Sequence, residues 1–334
     1  MNKMKKFRRG VAALLGMMLV IGAVFAYVSP VKAKETSSGD WMAGVDDEMK
    51  LSELSIPGTH DTCTQYVSLG YIFRCQDTSV REQLENGYRY MDMRLVLGEK
   101  DDKEVLVMKH NFASCRMGKS PFSSKLYFEK VGEDVINFLE EHPTETVILC
   151  MKAENGDDSV KEIQKLLYAF IDKNPEKWYT KNEIPTMEEA RGKIVLATRF
   201  EDELGAGEER SGLKFDWEDQ GDKEVVDVPY VQSMINDNEK LWVQDRFNYD
   251  TRDKIEAIVD DMENCQASED TFSVNFTSTT GSKAVGHPKK YATTINQYLK
   301  DYDWQKGTAY GIIVVDFASE DLARCIYETN TLRM

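Results

Sequence analysis

Short runs of β-branched and aromatic residues recur along the chain: 53–56 (ELSI), 88–97 (YRYMDMRLVL), 104–110 (EVLVMKH), 146–152 (TVILCMK), 193–200 (KIVLATRF), 240–245 (KLWVQD), 271–276 (TFSVNF) and 310–317 (YGIIVVDF). Several are almost continuously apolar, as strands buried on both faces must be. Between many of them, 79–87, 131–142, 159–173, 251–263 and 291–300 carry apolar residues at helical spacing. Strands alternating with amphipathic helices make βαβ units on a parallel sheet. Eight such strands predict an α/β fold, a single-domain irregular TIM-type (β/α)8 barrel, irregular because not every connection holds a clear helix. No repeat, low-complexity tract or Pro/Gly/Ser-rich linker divides the chain.

The N-terminus follows a different pattern. Lys3, Lys5, Lys6, Arg8 and Arg9 precede an uncharged apolar run from Val11 to Val28, and Val31-Lys32-Ala33 offers small residues spaced for cleavage. Residues 1–33 therefore read as a secretory signal, leaving 34–334 as the barrel of an extracellular protein. The run is also near the lower limit for a membrane span, so an uncleaved anchor is the alternative. Beyond the signal, 36 Lys and Arg face 58 Asp and Glu, a net charge of −22. Such a chain repels polyanions, which argues against a nucleic-acid partner. Any anionic ligand must be met by a local group of positive side chains. All six cysteines lie in the exported part, where disulfides are permitted, but buried free thiols suit the same spacing as well as any of the 15 pairings do.

In a barrel of this kind, function gathers at the C-terminal ends of the strands. The polar residues at those ends are His60, Asp92 with Arg94, His110, Lys152, Arg199, Asp245 and Asp316; the seventh strand offers Asn275 and Thr277. Far apart in sequence, they would meet in one ring suited to acid/base chemistry on an anion. Of the other histidines, His142 falls at a helix end before Pro143, and His287 falls in a loop expected to face solvent.

His60 and His110 can serve as base and acid, with metal ligation as the competing reading. A calcium or magnesium site needs clustered carboxylates, whereas Arg94 stands two residues after Asp92 on the same strand face. A guanidinium there would replace a metal and grip phosphate through its planar fork. The expectation is phosphoryl chemistry with neither metal nor cofactor. Asp316 directly follows the apolar run IIVV and, because first and last strands adjoin in a closed barrel, is the candidate to orient His60. Neighbouring side chains of an extended chain point to opposite faces, so Asp61 is expected to turn away from His60 and towards His110.

The segments 41–62 (WMAGVDDEMKLSELSIPGTHDT), 82–95 (EQLENGYRYMDMRL), 109–111 (KHN), 142–152 (HPTETVILCMK), 243–247 (VQDRF) and 314–317 (VVDF) together resemble the X domain of phosphatidylinositol-specific phospholipases C, the secreted bacterial enzymes above all. The resemblance implies that His60 takes the proton of the inositol 2-hydroxyl, which then attacks phosphorus within the same molecule. It implies that His110 protonates the leaving diacylglycerol oxygen, with Arg94 on the phosphate and Asp316 and Asp61 supporting the two histidines. Lys152, Arg199 and Asp245 match positions that hold inositol hydroxyls. Phe247 stands where those enzymes place a Tyr on the inositol ring, so stacking is kept and a hydroxyl is lost. The implied partner is phosphatidylinositol at a membrane surface, and glycosylphosphatidylinositol anchors are a second substrate class. The protein is expected to be a monomer touching the membrane transiently through an apolar patch, with Tyr71, Ile72 and Phe73, or the loop 120–128, as candidates. A metal-dependent glycerophosphodiester phosphodiesterase and a non-catalytic inositol-lipid binding protein are the alternatives.

Overall fold

The computed structural model describes residues 37–154, 159–282 and 286–331 of the chain. The stretch 1–33, read above as a secretory signal, lies outside the described residues.

Seven of the strands coincide with the apolar runs, and the first is displaced, sharing only Ile56 with the predicted 53–56 because 51–53 form a 3-10 turn: β1 (Ile56–Thr59), β2 (Tyr90–Lys100), β3 (Lys103–His110), β4 (Val147–Ala153), β5 (Ile194–Thr198), β6 (Lys240–Gln244), β7 (Thr271–Phe276) and β8 (Ile312–Val315). Within the sheet they run in the order β5, β4, β2, β1, β8, β7, β6, every neighbouring pair in that series being parallel. First and last strands of the chain are thus side by side in the middle of the series. Helices α1 (Val80–Glu85), α2 (Phe128–Glu141), α3 (Val160–Ile171), α4 (Thr251–Asn264), α5 (Pro288–Asp301) and α6 (Glu320–Tyr327) lie between or after the strands. The fold is an irregular barrel of the TIM type.

The helices form where local chemistry favours them. In α1, Ser79 and Glu82 make a reciprocal capping box. In α2, Val131, Val135, Phe138 and Leu139 form one buried stripe. Pro288 opens α5, at a position where its missing N–H is no loss. Helix α6 was not among the helices predicted from spacing.

One strand does not do what its apolar pattern predicts. β3 is not a parallel barrel strand; it pairs antiparallel with the far half of β2, from Leu95–Met108 to Lys100–Lys103. The reason is the connection: only Asp101 and Asp102 separate the strands, with φ of 52° and 59°, and a two-residue turn with both residues left-handed joins antiparallel neighbours. Its place in the parallel set goes to the short strand Leu213–Lys214, which pairs with β5. The chain after it crosses to the end of β6, where Gln220 donates to Val243 O at 3.2 Å and accepts from Asp245 N at 3.2 Å.

Barrel interiors leave little room, and Gly58 shows how little. A Cβ there would sit 2.9 Å from the Tyr90 ring, so the Pro57-Gly58 step lets β1 lie against β2.

Candidate active site

The register of β1 and β8 decides the first contact. Ile56 pairs with Ile312 and Thr59 with Val315, so His60 and Asp316 continue as the next pair on the same face. Gln76, fully buried, clamps both ends by donating to His60 O and Val315 O. His60 Nδ1 then lies 2.7 Å from Asp316 Oδ1, close enough to donate to it. From β2, whose residues register with β4 as Asp92–Cys150 and Arg94–Lys152, Arg94 reaches into the same space.

Arg94 is the hub. Its Nη2 donates to Asp92 Oδ2 at 3.0 Å, its Nε lies 3.0 Å from Asp61 Oδ1, and its Nη1 lies 3.3 Å from Glu154 Oε2. The same Nη2 is 3.0 Å from His60 Nε2. Burial penalises the Arg94 charge, but the surrounding carboxylates more than offset that and raise its pKa. Asp92 shows the converse: burial pushes it up, yet the Arg94 charge beside it holds the carboxyl well below the usual range.

His110 reaches the ring by a route other than the one predicted. It stands at the end of the antiparallel β3, which returns from beyond the barrel rim. Its Nδ1 donates to Phe73 O at 2.8 Å, so Nε2 is the nitrogen left to face Asp61 Oδ2 at 3.3 Å.

The expected separation of Asp61 from His60 does not occur. Asp61 Oδ2 lies 3.1 Å from His60 Nε2 as well as 3.3 Å from His110 Nε2, so one carboxylate stands between both imidazoles. Alternation fails because β1 ends at Thr59 and Asp61 has a φ of 45°, a left-handed turn that folds its side chain back towards its neighbour.

For His60, burial pulls the pKa down, but the charges of Asp61 and Asp316 overcome this and push it up to about 9, with Arg94 opposing. Protonated at Nε2, the ring faces Asp61; deprotonated there, its lone pair faces the Arg94 donor. The same nitrogen can hold a proton or release it.

An open cavity of about 720 Å³ is lined by His60, Arg94, His110, Lys152, Arg199, Asp245, Phe247 and Asp316. Lys152 Nζ is 3.9 Å from Glu154 Oε2, and the adjacent Arg94 charge lowers the pKa of that lysine. Arg199 lies over the Trp217 ring at 3.5 Å and 3.9 Å from Asp245 Oδ2, to which Trp217 Nε1 also donates. Asn275, by contrast, is buried in structural bonds to Gln244 and Ile258 O. His287 is not simply solvated, since it packs on the Tyr71 ring at 4.5 Å.

Two members escaped the sequence reading. Glu154 lies one alternation beyond Lys152, a signal that could have found it. Trp217 sits in a long irregular connection without a periodic signal. As for metals, His60, Asp61 and Asp92 have the spacing to hold an ion, but Arg94 lies 3.0 Å from each of the two carboxylates and fills the place of a hard cation.

Residues 50–200 match the family model described as phosphatidylinositol-specific phospholipase C, X domain. The chain is similar to a 1-phosphatidylinositol phosphodiesterase of Listeria monocytogenes, 26% identical over 316 residues that cover 90% of this chain and 87% of that one. A Staphylococcus aureus protein of the same name is 27% identical, covering 84% and 89%. Among solved structures, a phosphatidylinositol-specific phospholipase C from S. aureus superposes with a TM-score of 0.72 at 24% identity, over 89% of this chain and 98% of that chain. The L. monocytogenes enzyme superposes with a TM-score of 0.67.

Proposed function

We propose that this chain, whose residues 50–200 belong to the phosphatidylinositol-specific phospholipase C X-domain family, is a phosphatidylinositol phosphodiesterase of the lyase type. The observation that carries the reading is the arrangement of two imidazoles on one buried carboxylate with a guanidinium beside them, the imidazoles and guanidinium lining one cavity. His60 Nε2 takes the proton of the inositol 2-hydroxyl, and Asp316 holds its Nδ1–H and stabilises the imidazolium that forms. The freed oxygen attacks phosphorus in the same molecule, where proximity replaces an encounter. His110, its Nδ1 held by Phe73 O, delivers the Nε2 proton to the departing diacylglycerol oxygen. Arg94 meets the charge that grows on the phosphoryl oxygens. Asp61 orients both rings, and Asp92 fixes Arg94.

The products are diacylglycerol and inositol 1,2-cyclic phosphate, which the same pair hydrolyses slowly with roles exchanged. Lys152, Arg199 and Asp245 bind inositol hydroxyls, and Phe247 stacks on the ring. No step calls on a metal. Phosphorus NMR of phosphatidylinositol in detergent, with and without chelator, tests this: cyclic inositol phosphate should appear in both samples. No turnover, or turnover only with added metal, would overturn it. Glycosylphosphatidylinositol anchors share the reacting diester and are the second substrate class, tested by release of an anchored protein from cells.

The lipid is met at a membrane. Leu69 (61% exposed), Tyr71 (78%), Phe112 (65%) and Phe122 (94%) are exposed apolar side chains, and Leu69 and Phe112 also line the cavity. Ile72 and Phe73, expected beside Tyr71 on this surface, are only partly exposed, and Phe73 packs on His110 and Phe112. Export belongs to the same proposal, and the first residue of protein recovered from the medium should follow Ala33.

A further inference from the structure

Cys75 takes no part in the reaction above, yet its thiol stands where the two histidine systems meet. The backbone fixes it there: Cys75 O accepts from Phe317 N at 2.6 Å and Cys75 N donates to Thr64 Oγ1 at 3.0 Å. Sγ lies 3.8 Å from Asp61 Oδ2 and 3.9 Å from His110 Nδ1. Asp61 Oδ2 is in turn 3.3 Å from His110 Nε2 and 3.1 Å from His60 Nε2. One ligand atom each from Asp61, Cys75 and His110 lies within 4.8 Å of the others.

Zinc bonds of about 2.3 Å to sulfur and about 2.0 Å to nitrogen or oxygen place tetrahedral ligand atoms roughly 3.3 to 3.5 Å apart. The contacts to Asp61 Oδ2 are within a few tenths of an ångström of that spacing. A second observation points the same way: His110 donates its Nδ1–H to a backbone carbonyl, the outer-shell bond that turns the other ring nitrogen to a metal. Arg94 takes Asp61 Oδ1 and Asp92, the oxygen-rich side that calcium or magnesium would need. The side that carries sulfur and nitrogen is the one a softer ion prefers.

We infer that Asp61 Oδ2, Cys75 Sγ and His110 Nε2 form an inhibitory site for a thiophilic divalent cation of the Zn²⁺ type, with a solvent molecule as the fourth ligand. As the sulfur–metal bond forms, the thiol proton passes to solvent and no electron is transferred. With Asp61 and His110 engaged, no proton reaches the leaving group, and turnover stops until the ion is withdrawn. The inhibition rests on the proposed role of His110, whereas the site itself does not.

Co²⁺ reports the site without any reaction. One equivalent added to the wild-type protein should give a near-ultraviolet thiolate-to-cobalt band together with the visible bands of a four-coordinate ion. Cys75→Ser should abolish the thiolate band while the other five cysteines remain, and His110→Asn should lose the four-coordinate spectrum, so the second variant decides if the first does not fold. In parallel, Zn²⁺ should stop turnover reversibly by chelator, and Cys75→Ser should raise the half-inhibiting concentration at least about tenfold. Absence of the cobalt spectrum in the wild type, or its persistence in the variants, overturns the site. Absent turnover with an intact cobalt spectrum would instead overturn the proposed function alone.

Discussion

Burial alone would strip the proton from His60, and the carboxylates of Asp61 and Asp316 reverse that, raising its pKa to about 9. A base works only when deprotonated, so kcat/KM on a soluble substrate should climb with pH towards that value rather than level off near the ordinary 6.5. Asp316→Asn removes one of the two anions that favour the charged ring. The ascending limb should therefore move to lower pH while kcat falls, and a limb that stays in place would refute the pairing. His60→Ala and His110→Ala should each lower turnover by at least about a hundredfold, measured by release of cyclic phosphate, because each removes one proton transfer. Near-wild-type activity in either variant would end the two-histidine mechanism. The His60–Asp316 contact was legible in the sequence because strand order and alternation both propagate from residue type. The double role of Asp61 was not, since a single left-handed residue breaks the alternation from which its direction was read.

At the scale of elements, the β2–β3 hairpin carries the main lesson. Its apolar pattern marks a strand correctly but says nothing of direction, which the two-residue Asp101-Asp102 turn settles. His110 was therefore assigned to the right ring for the wrong reason. The starts of β2 and β4 are tied by a buried pair: Arg89 donates to Glu145 at 2.7 and 3.0 Å and to Gly39 O at 2.8 Å, and Glu145 accepts from Met42 N at 3.0 Å. Both side chains are fully buried. Removing one partner leaves the other charge uncompensated, so Glu145→Gln or Arg89→Met should cost about 3 to 5 kcal/mol. The measurement is the denaturant midpoint at unchanged slope, with a shift near zero as the contrary result.

On the scale of the whole molecule, a net charge of −22 over residues 34–334 should keep the protein from anionic membranes, yet residues 105–128 contain Lys109, Arg116, Lys119 and Lys125 and no Asp or Glu. That segment includes Phe112 and Phe122, two of the exposed aromatics, and through His110, Asn111 and Phe112 it borders the cavity. An apolar tip with local positive charge suits a lipid surface better than an apolar patch alone. Phe122→Ser should reduce binding to vesicles containing anionic lipid while leaving hydrolysis of monomeric short-chain substrate unchanged; equal vesicle binding would remove the 120–128 loop from the docking surface. All six cysteines are free thiols and five of them are buried, so the fold is held together by its core rather than by cross-links.

The sequence by itself determined most of the longer strands, most of the helices and most residues of the ring, because hydrophobic periodicity and side-chain type are local properties. Only the tertiary structure decided strand direction at the hairpin, the sharing of Asp61, the entry of Glu154 and Trp217, and the approach of Cys75 to both histidines. These depend on backbone turns and on contacts between residues far apart in the chain, and no local pattern encodes a distance.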